Sequence, residues 1–399
     1  MESDRAIRKG KRSRNVKRAL AWLLTALWLF CAVSAEADRA EELPARMDRL
    51  MKSYRTIGAS VIAARDGEIF FRYVYGYEDL ISHTPVSLNT HFRIASVTKM
   101  ISAIRVMQLV EEGKLSLDRD ISEDLGYEVR NPYRAGVLTL RMLMSHTSSL
   151  AGGTYQFENR TVRNLIGDRR LNSNRFLKQV PGAKYRYSNL GAGLMGVLIE
   201  KCEGVNVDTS VKNGVFSPLN IDAGYSMKTL ADAGHVASLY NRSGMGLQRG
   251  PKKWAAIAWD PDCDPERHYD ITVGDLLIRP EDLCRLGIML AAEGTVDGVR
   301  LLQPETVRMM TADQRGKHLI TADSPYGLCI HRDTRLMPGF TLYGHQGHMW
   351  GTLCSLYWDP DTQLVILLVS NGCDTTQENG TARLAEEVWR LIWSSCMEK

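Results

Sequence analysis

Two kinds of hydrophobic pattern divide the chain. Gly58 to Ala64 and Glu68 to Tyr75 are β-rich runs joined by Asp66-Gly67, a pair suited to a tight hairpin because both residues tolerate positive φ. Thr352 to Trp358 and Gln363 to Ser370 repeat the arrangement across Asp359-Pro360-Asp361-Thr362. Between them apolar residues recur at helical spacing: Val97 to Glu112, ended by Gly113; Thr139 to His146; Gly191 to Cys202; and Glu281 to Ala292, started by Pro280. Glu41 to Tyr54 and Ala382 to Trp393 predict a helix at either end. Strands gathered at both ends with helices between them predict an α+β fold. An antiparallel sheet from about 41–80 and 325–399, flanked by helices, carries an inserted, mainly helical region over about 90–310. The stretch from Asn241 to Asp270, rich in Gly, Pro and charge, predicts a long surface loop placed to overhang a cleft.

Composition narrows the function classes. With 399 residues, 44% apolar and 24% charged, the chain has ample material for a hydrophobic core, so disorder and multi-pass membrane readings fall away. The net charge of +4 belongs to the first 35 residues, which carry eight basic side chains and two acidic ones; without them the balance is 42 against 44. The body has no basic excess for nucleic acid.

Those first residues form a basic stretch to Arg18 and an uncharged run from Ala19 to Ala35, with small residues near Ala35 for a signal peptidase. Residues 1–35 therefore read as an export signal, or as an uncleaved N-terminal anchor, since seventeen uncharged residues approach the length that spans a bilayer. Either way the body, 36–399, is expected outside the cytoplasm, secreted, periplasmic or at the cell surface, with membrane contact only through this segment. Seven cysteines follow it (Cys202, Cys263, Cys284, Cys329, Cys354, Cys373 and Cys396), an odd number that leaves at least one thiol free.

Three short motifs carry candidate chemistry. The helix from Val97 is apolar nearly all round, so it belongs in the core, and Lys99 is out of place on it. A cation in the first turn faces the positive end of the helix dipole, and burial adds desolvation; both lower the ammonium pKa. Ser96 lies three residues earlier on the same face, so a hydroxyl nucleophile meets an amine able to take its proton. The plainer alternative is a capping serine followed by a lysine that snorkels outwards. Tyr187-Ser188-Asn189 precedes the next helix. A tyrosine beside such a lysine loses its proton more readily than free phenol and can relay protons, while Asn189 offers both acceptor and donor for a substrate amide, or else caps the helix. His345-Gln346-Gly347 leads into the strand from Thr352. There Gly347 allows close backbone approach, His345 can hold a carboxylate or polarise the tyrosine, and the amide of His348 can join that of Ser96 in an oxyanion hole. The plainer alternative is an exposed loop histidine.

Taken together, in this order and setting, the motifs resemble the SxxK, YxN and K/HxG signature of the penicillin-recognising serine hydrolases, the class C β-lactamase and DD-peptidase group. Phe92 to Ala95, Leu138 to Leu143 with Ser145 to Ser148, Arg279 to Leu283, and Gly344 with Gly351 also look like landmarks of that family, so the likeness runs from about Gly58 to Trp393. The resemblance implies a β-lactamase/transpeptidase-like fold and an acyl-serine mechanism without metal or cofactor. Ser96 would be the nucleophile, Lys99 and Tyr187 would share acid and base duty, Asn189, Gly347 and His348 would bind substrate, and His345 would stand at the place of the third-motif cation. Histidine there departs from the KTG of β-lactamases and looks more like the HxG of carboxypeptidases, aminopeptidases and esterases. The implied partner is a small peptide, lactam or ester, cell-wall peptidoglycan included.

Competing readings are weaker. Gly191 to Gly196 spells GxGxxG, but Lys184 to Asn189 before it is no hydrophobic strand and the βαβ context is missing. His345 and His348 lack a third metal ligand. A membrane-anchored sensor that is acylated without efficient turnover would use the same nucleophile and stays open at this level.

Overall fold

The computed structural model describes residues 43–152, 161–167, 173–243, 246–249, 264–314, 325–378 and 380–397. The chain forms two compact units. The smaller comprises 1–50 and 391–399, of which the described residues 43–50 and 391–397 are helical. The larger, Met51–Arg390, contains the sheet and all three motifs.

In chain order, the elements that position the site are β1 (Gly58–Arg65), β2 (Glu68–Asp79), β3 (Thr84–Pro85), β4 (Phe92–Arg93), α1 (Val97–Glu111), α2 (Leu140–Met144), α3 (Asn189–Glu203), β5 (Ala223–Gly224), α4 (Ile271–Gly274), β6 (Leu277–Ile278), α5 (Pro280–Ala291), β7 (His331–Asp333), β8 (Leu342–Met349), β9 (Thr352–Trp358), β10 (Val365–Ser370) and α6 (Arg383–Met397). Seven strands make one antiparallel sheet in the order β7-β8-β9-β10-β1-β2-β3, so both ends of the sequence meet at its centre, where Ile62 of β1 lies opposite Leu367 of β10. This is the α+β architecture expected from the pattern.

β9 and β10 are buried along their whole length, and so is β1 up to Arg65, which is why they read as continuous apolar runs rather than as alternation. One face is covered by α5, and Gly287 makes the approach possible: a Cβ there would come within 2.8 Å of Leu356. The turn between β1 and β2 has φ of 52° at Asp66 and 87° at Gly67, as Asp-Gly hairpins require. Helix α1 is buried at every residue from Val97 to Leu109, packed against α3, α4 and β8. A small sheet, β4-β6-β5, fixes the chain just ahead of it, with Arg93 paired to Leu277.

Several boundaries differ from expectation for local reasons. Helix α3 starts at Asn189 rather than Gly191, because the Ser188 hydroxyl accepts from the Gly191 amide at 3.0 Å and caps it. β10 starts at Val365, since the Asp359 carboxylate accepts from Thr362 Oγ1 at 2.6 Å and extends the turn. The stretch 241–270 is not uniformly loop: Tyr240–Ser243 pairs with Gly246–Arg249, and 250–263 lie outside the described residues. Cys202, Cys284, Cys329, Cys354 and Cys373 are free thiols, while Cys263 lies outside the described residues.

The expectation of an N-terminal membrane anchor is corrected. Among the described residues no helix is long and apolar enough to cross a membrane, and the segment on which that expectation rests, 1–35, lies outside them. Membrane attachment through the N-terminus is therefore not carried further.

Gly67 has open space around its Cα, so Gly67→Ala isolates the backbone cost of positive φ. It is expected to lower unfolding free energy by about 1 kcal/mol in urea titration without altering the native circular dichroism; an unchanged midpoint would contradict the turn geometry.

Candidate active site

Ser96 sits where β4 turns into α1. The turn is made by Ala95, whose φ of 46° is a left-handed conformation that a residue with a Cβ adopts only under constraint. Ser96 itself has helical backbone angles and makes no capping hydrogen bond. Its Oγ lies 3.0 Å from Lys99 Nζ instead, which sets aside the capping-serine alternative. Nor does Lys99 snorkel: it is fully buried, and Nζ donates to the Val273 carbonyl on α4 at 2.8 Å. Burial lowers the Lys99 pKa from 10.5 to about 7.

The carbonyl that receives Lys99 is held from below. Arg93, itself buried, donates through Nε to the Gly274 carbonyl at 3.0 Å and forms an ion pair with buried Asp275. The Ile94 amide donates to Leu276 O at 3.2 Å, and the Leu276 amide to Thr98 Oγ1 at 3.3 Å. Residues 273–276 and 93–99 are thus laced together across nearly half the chain. Nothing in local sequence marks Val273 or Asp275 as part of this site.

Tyr187 is brought in by the loop before α3, which His146 clamps on both sides. The His146 carbonyl accepts from the Arg186 amide at 2.7 Å, and its Nδ1 accepts from the Ser188 amide at 3.2 Å. The imidazole lies 4.2 Å, centroid to centroid, from the Tyr187 ring. The Tyr187 ring centroid is 5.1 Å from Lys99 Nζ. Burial pushes this phenol above its ordinary pKa, and the Ser96 hydroxyl offsets the shift only in part. The expectation of an easily ionised tyrosine is therefore reversed: desolvation of the phenolate outweighs the neighbouring amine. Asn189 does not cap the helix, since Ser188 does; its Oδ1 is buried without a hydrogen-bond partner.

The third motif is a strand, not a loop. Gly347 lies on β8 where that strand passes Ser96: a Cβ at this position would stand 2.6 Å from both Ser96 N and Ile94 O. Only glycine permits that approach. His345, two residues back on the same strand face, is buried, and both nitrogens are engaged. Nδ1 donates to Gln346 O at 2.6 Å, and Nε2 accepts from Tyr326 Oη at 3.0 Å. Burial first, then His331 and Lys99, push its pKa well below 6.5. Burial thus favours the neutral imidazole, and its place within the sheet sets aside the alternative of an exposed loop histidine. His348, three residues along the strand, has its side chain exposed on the opposite face, so the two histidines do not converge. Among the described residues no three His, Cys, Asp or Glu side chains are grouped to hold a metal ion.

Beyond Tyr187 and His345 stands an aromatic wall that no motif announced. The rings of His331 and His345 are 4.3 Å apart, Tyr326 packs 5.0 Å from His146, and Tyr357 Oη lies 3.0 Å from His331 Nδ1. Burial raises the pKa of both phenols and lowers that of His331 to about 4, so the hydroxyls donate and the imidazoles stay neutral. Register brings these residues together, with His331 opposite Gly344 and Gly344 opposite Tyr357.

The family model described as Beta-lactamase matches residues 43–388. The chain is 32% identical over 206 residues to esterase EstB of Burkholderia gladioli, an alignment covering 47% of this chain and 52% of that protein. It thus spans about half the length of that relative. Among solved structures, EstCE1, a hydrolase with promiscuous acyltransferase activity, superposes with a TM-score of 0.71 at 19% identity, over 90% of this chain and 99% of that one. The D-amino acid amidase of Ochrobactrum anthropi SV3 superposes with a TM-score of 0.68 at 19% identity, over 91% and 100%. At these identities the two structures establish likeness of fold alone.

A lysine whose pKa falls on folding destabilises the native state. The cost is full below pH 7 and fades between pH 7 and 10.5, because only the unfolded chain binds the proton in that window. Lys99→Met is therefore expected to raise stability by on the order of 4 kcal/mol at pH 6, with the gain shrinking as pH approaches 10.5. Thermal unfolding at pH 6, 8 and 10 reads this directly; a variant less stable than wild type at pH 6 would refute the buried amine.

Proposed function

The chain belongs to the beta-lactamase family, and on that premise we propose that it is a serine hydrolase that cleaves an ester or amide through an acyl-Ser96 intermediate. The observation that carries this reading is the 3.0 Å approach of Ser96 Oγ to the amine of a fully buried lysine. With one N–H given to Val273 O, neutral Lys99 has its lone pair free for the serine proton. Ser96 Oγ attacks the substrate carbonyl carbon as its proton passes to Lys99 Nζ. The amides of Ser96, which Gly347 approaches closely, and of His348, the next residue on β8, would stabilise the oxyanion.

When the carbon–oxygen or carbon–nitrogen bond breaks, the protonated phenol of Tyr187 gives its proton to the leaving atom and is resupplied from Lys99. A raised phenol pKa suits it to donate rather than to act as resting base. Water then attacks the acyl carbon by the reverse route, and Ser96 Oγ regains a proton as the acid departs. Asn189 would accept a substrate N–H through its buried, unpartnered Oδ1, which would relieve a polar group left unsatisfied without substrate. Both substrate bonds have precedent among the similar proteins, one named an esterase and another an amidase.

Intact-mass analysis with a fluorophosphonate and a fluorescent penicillin tests the nucleophile. Wild type should gain the mass of at least one probe and Ser96→Ala of neither; equal labelling of both would remove the assignment. The base is tested by pH: kcat/KM for an activated ester is expected to rise with pH through a midpoint near 7, as Lys99 deprotonates. Lys99→Arg, with a guanidinium charged at any working pH, should lose about a thousandfold or more. A near-normal rate in that variant would show that Lys99 is not the proton acceptor.

A further inference from the structure

His345 and Gly347 share one face of β8, and Gly347 touches Ser96, so a leaving group that runs from Ser96 along this strand passes the His345 ring. We propose, building on the hydrolase reading above, that this site selects leaving groups without a carboxylate, because the imidazole beside their path has both nitrogens committed inside the protein. Nδ1 spends its proton on Gln346 O, and Nε2 accepts from Tyr326 Oη, so neither a donor nor a charge remains to receive an anion.

Among the described residues the neighbouring groups supply no replacement: Arg335, whose charge also reaches His331, is paired with Asp333 at 2.8 Å. His331 stacks on His345 and accepts from Tyr357, and His146 accepts from the Ser188 amide. Lys99 is the one cation whose charge reaches all three imidazoles, and in its working form it is neutral and turned towards Ser96 and Val273. Gln346, between His345 and Gly347, points to the other face, where Nε2 donates to Gly380 O and Oε1 accepts from the Ala382 amide at 3.4 Å. A carboxylate here would lose water and gain no partner among the described residues, whereas an uncharged aromatic or aliphatic group would face the aromatic side chains that flank His345, Tyr187 at 6.5 Å and Tyr326 at 6.0 Å between ring centroids.

A matched pair of esters isolates the charge: 3-acetoxybenzoate and its methyl ester carry the same acyl group and nearly the same leaving phenol. After normalising to their hydroxide-catalysed rates, wild type at pH 8 should show a kcat/KM at least about tenfold higher for the methyl ester. His345→Lys, which places an ammonium on this face, should narrow that ratio by accelerating the carboxylate ester. A smaller gap in wild type, a preference for the carboxylate, or a folded His345→Lys with an unchanged ratio would overturn the proposal. If that variant does not fold, the wild-type ratio decides alone. Ser96→Ala separates the two levels. Loss of both activities with a ratio near one leaves the hydrolase reading standing and removes this inference, whereas retained hydrolysis, or no hydrolysis of either ester by wild type, removes both.

Discussion

A primary amine shut away from water, 3.0 Å from a serine hydroxyl and 2.8 Å from a backbone carbonyl, sets the demands that the rest of the larger unit meets. Water would restore the ammonium, so α1 must be enclosed on every side, and α3, α4 and β8 enclose it. The carbonyl must stay where the amine can reach it, so Arg93 and Asp275, both buried, pin the segment that carries it. Each buried charge is costly alone and tolerable when paired, and here the pair lies beneath the unpaired lysine.

Backbone strain gathers at the same place. Ala95 and His146 hold positive φ, and each lies next to a group that the site needs: Ser96 after one, and the turn carrying Tyr187 clamped by the other. Such conformations persist only where surrounding contacts over-determine them. The close pass of Gly347 does the same for β8, trading a side chain for a backbone-to-backbone approach at the nucleophile. The geometry of the three motifs is thus secured by backbone as much as by the side chains that name them.

The aromatic wall beside Ser96 is electrically quiet. His146, His331 and His345 would each carry a proton near neutrality less readily than a free imidazole, because desolvation dominates all three. Phenols that stay protonated complete their hydrogen bonds. An aromatic surface of neutral donors and acceptors lies beside Ser96 and Lys99, whose proposed chemistry depends on moving one proton.

Much of this was legible in the chain itself. The Asp66-Gly67 hairpin, the helix ended by Gly113 and the apolar runs at both ends specify local structure through φ preferences and periodicity, which act within a few residues. Ser96 and Lys99 could be placed on one face because helical spacing alone puts them there, and an apolar surround already foretold a depressed lysine pKa. Their partners were not legible. Val273, Asp275, Tyr326, His331 and Tyr357 reach the site through strand register and helix packing between segments as much as 180 residues apart, which no local pattern encodes. The charge states of Tyr187 and His345 likewise depended on how completely the fold excludes water and which donors it leaves facing them. Residue types and short spacings determined what chemistry was available; only tertiary burial decided which protons stay and which can move.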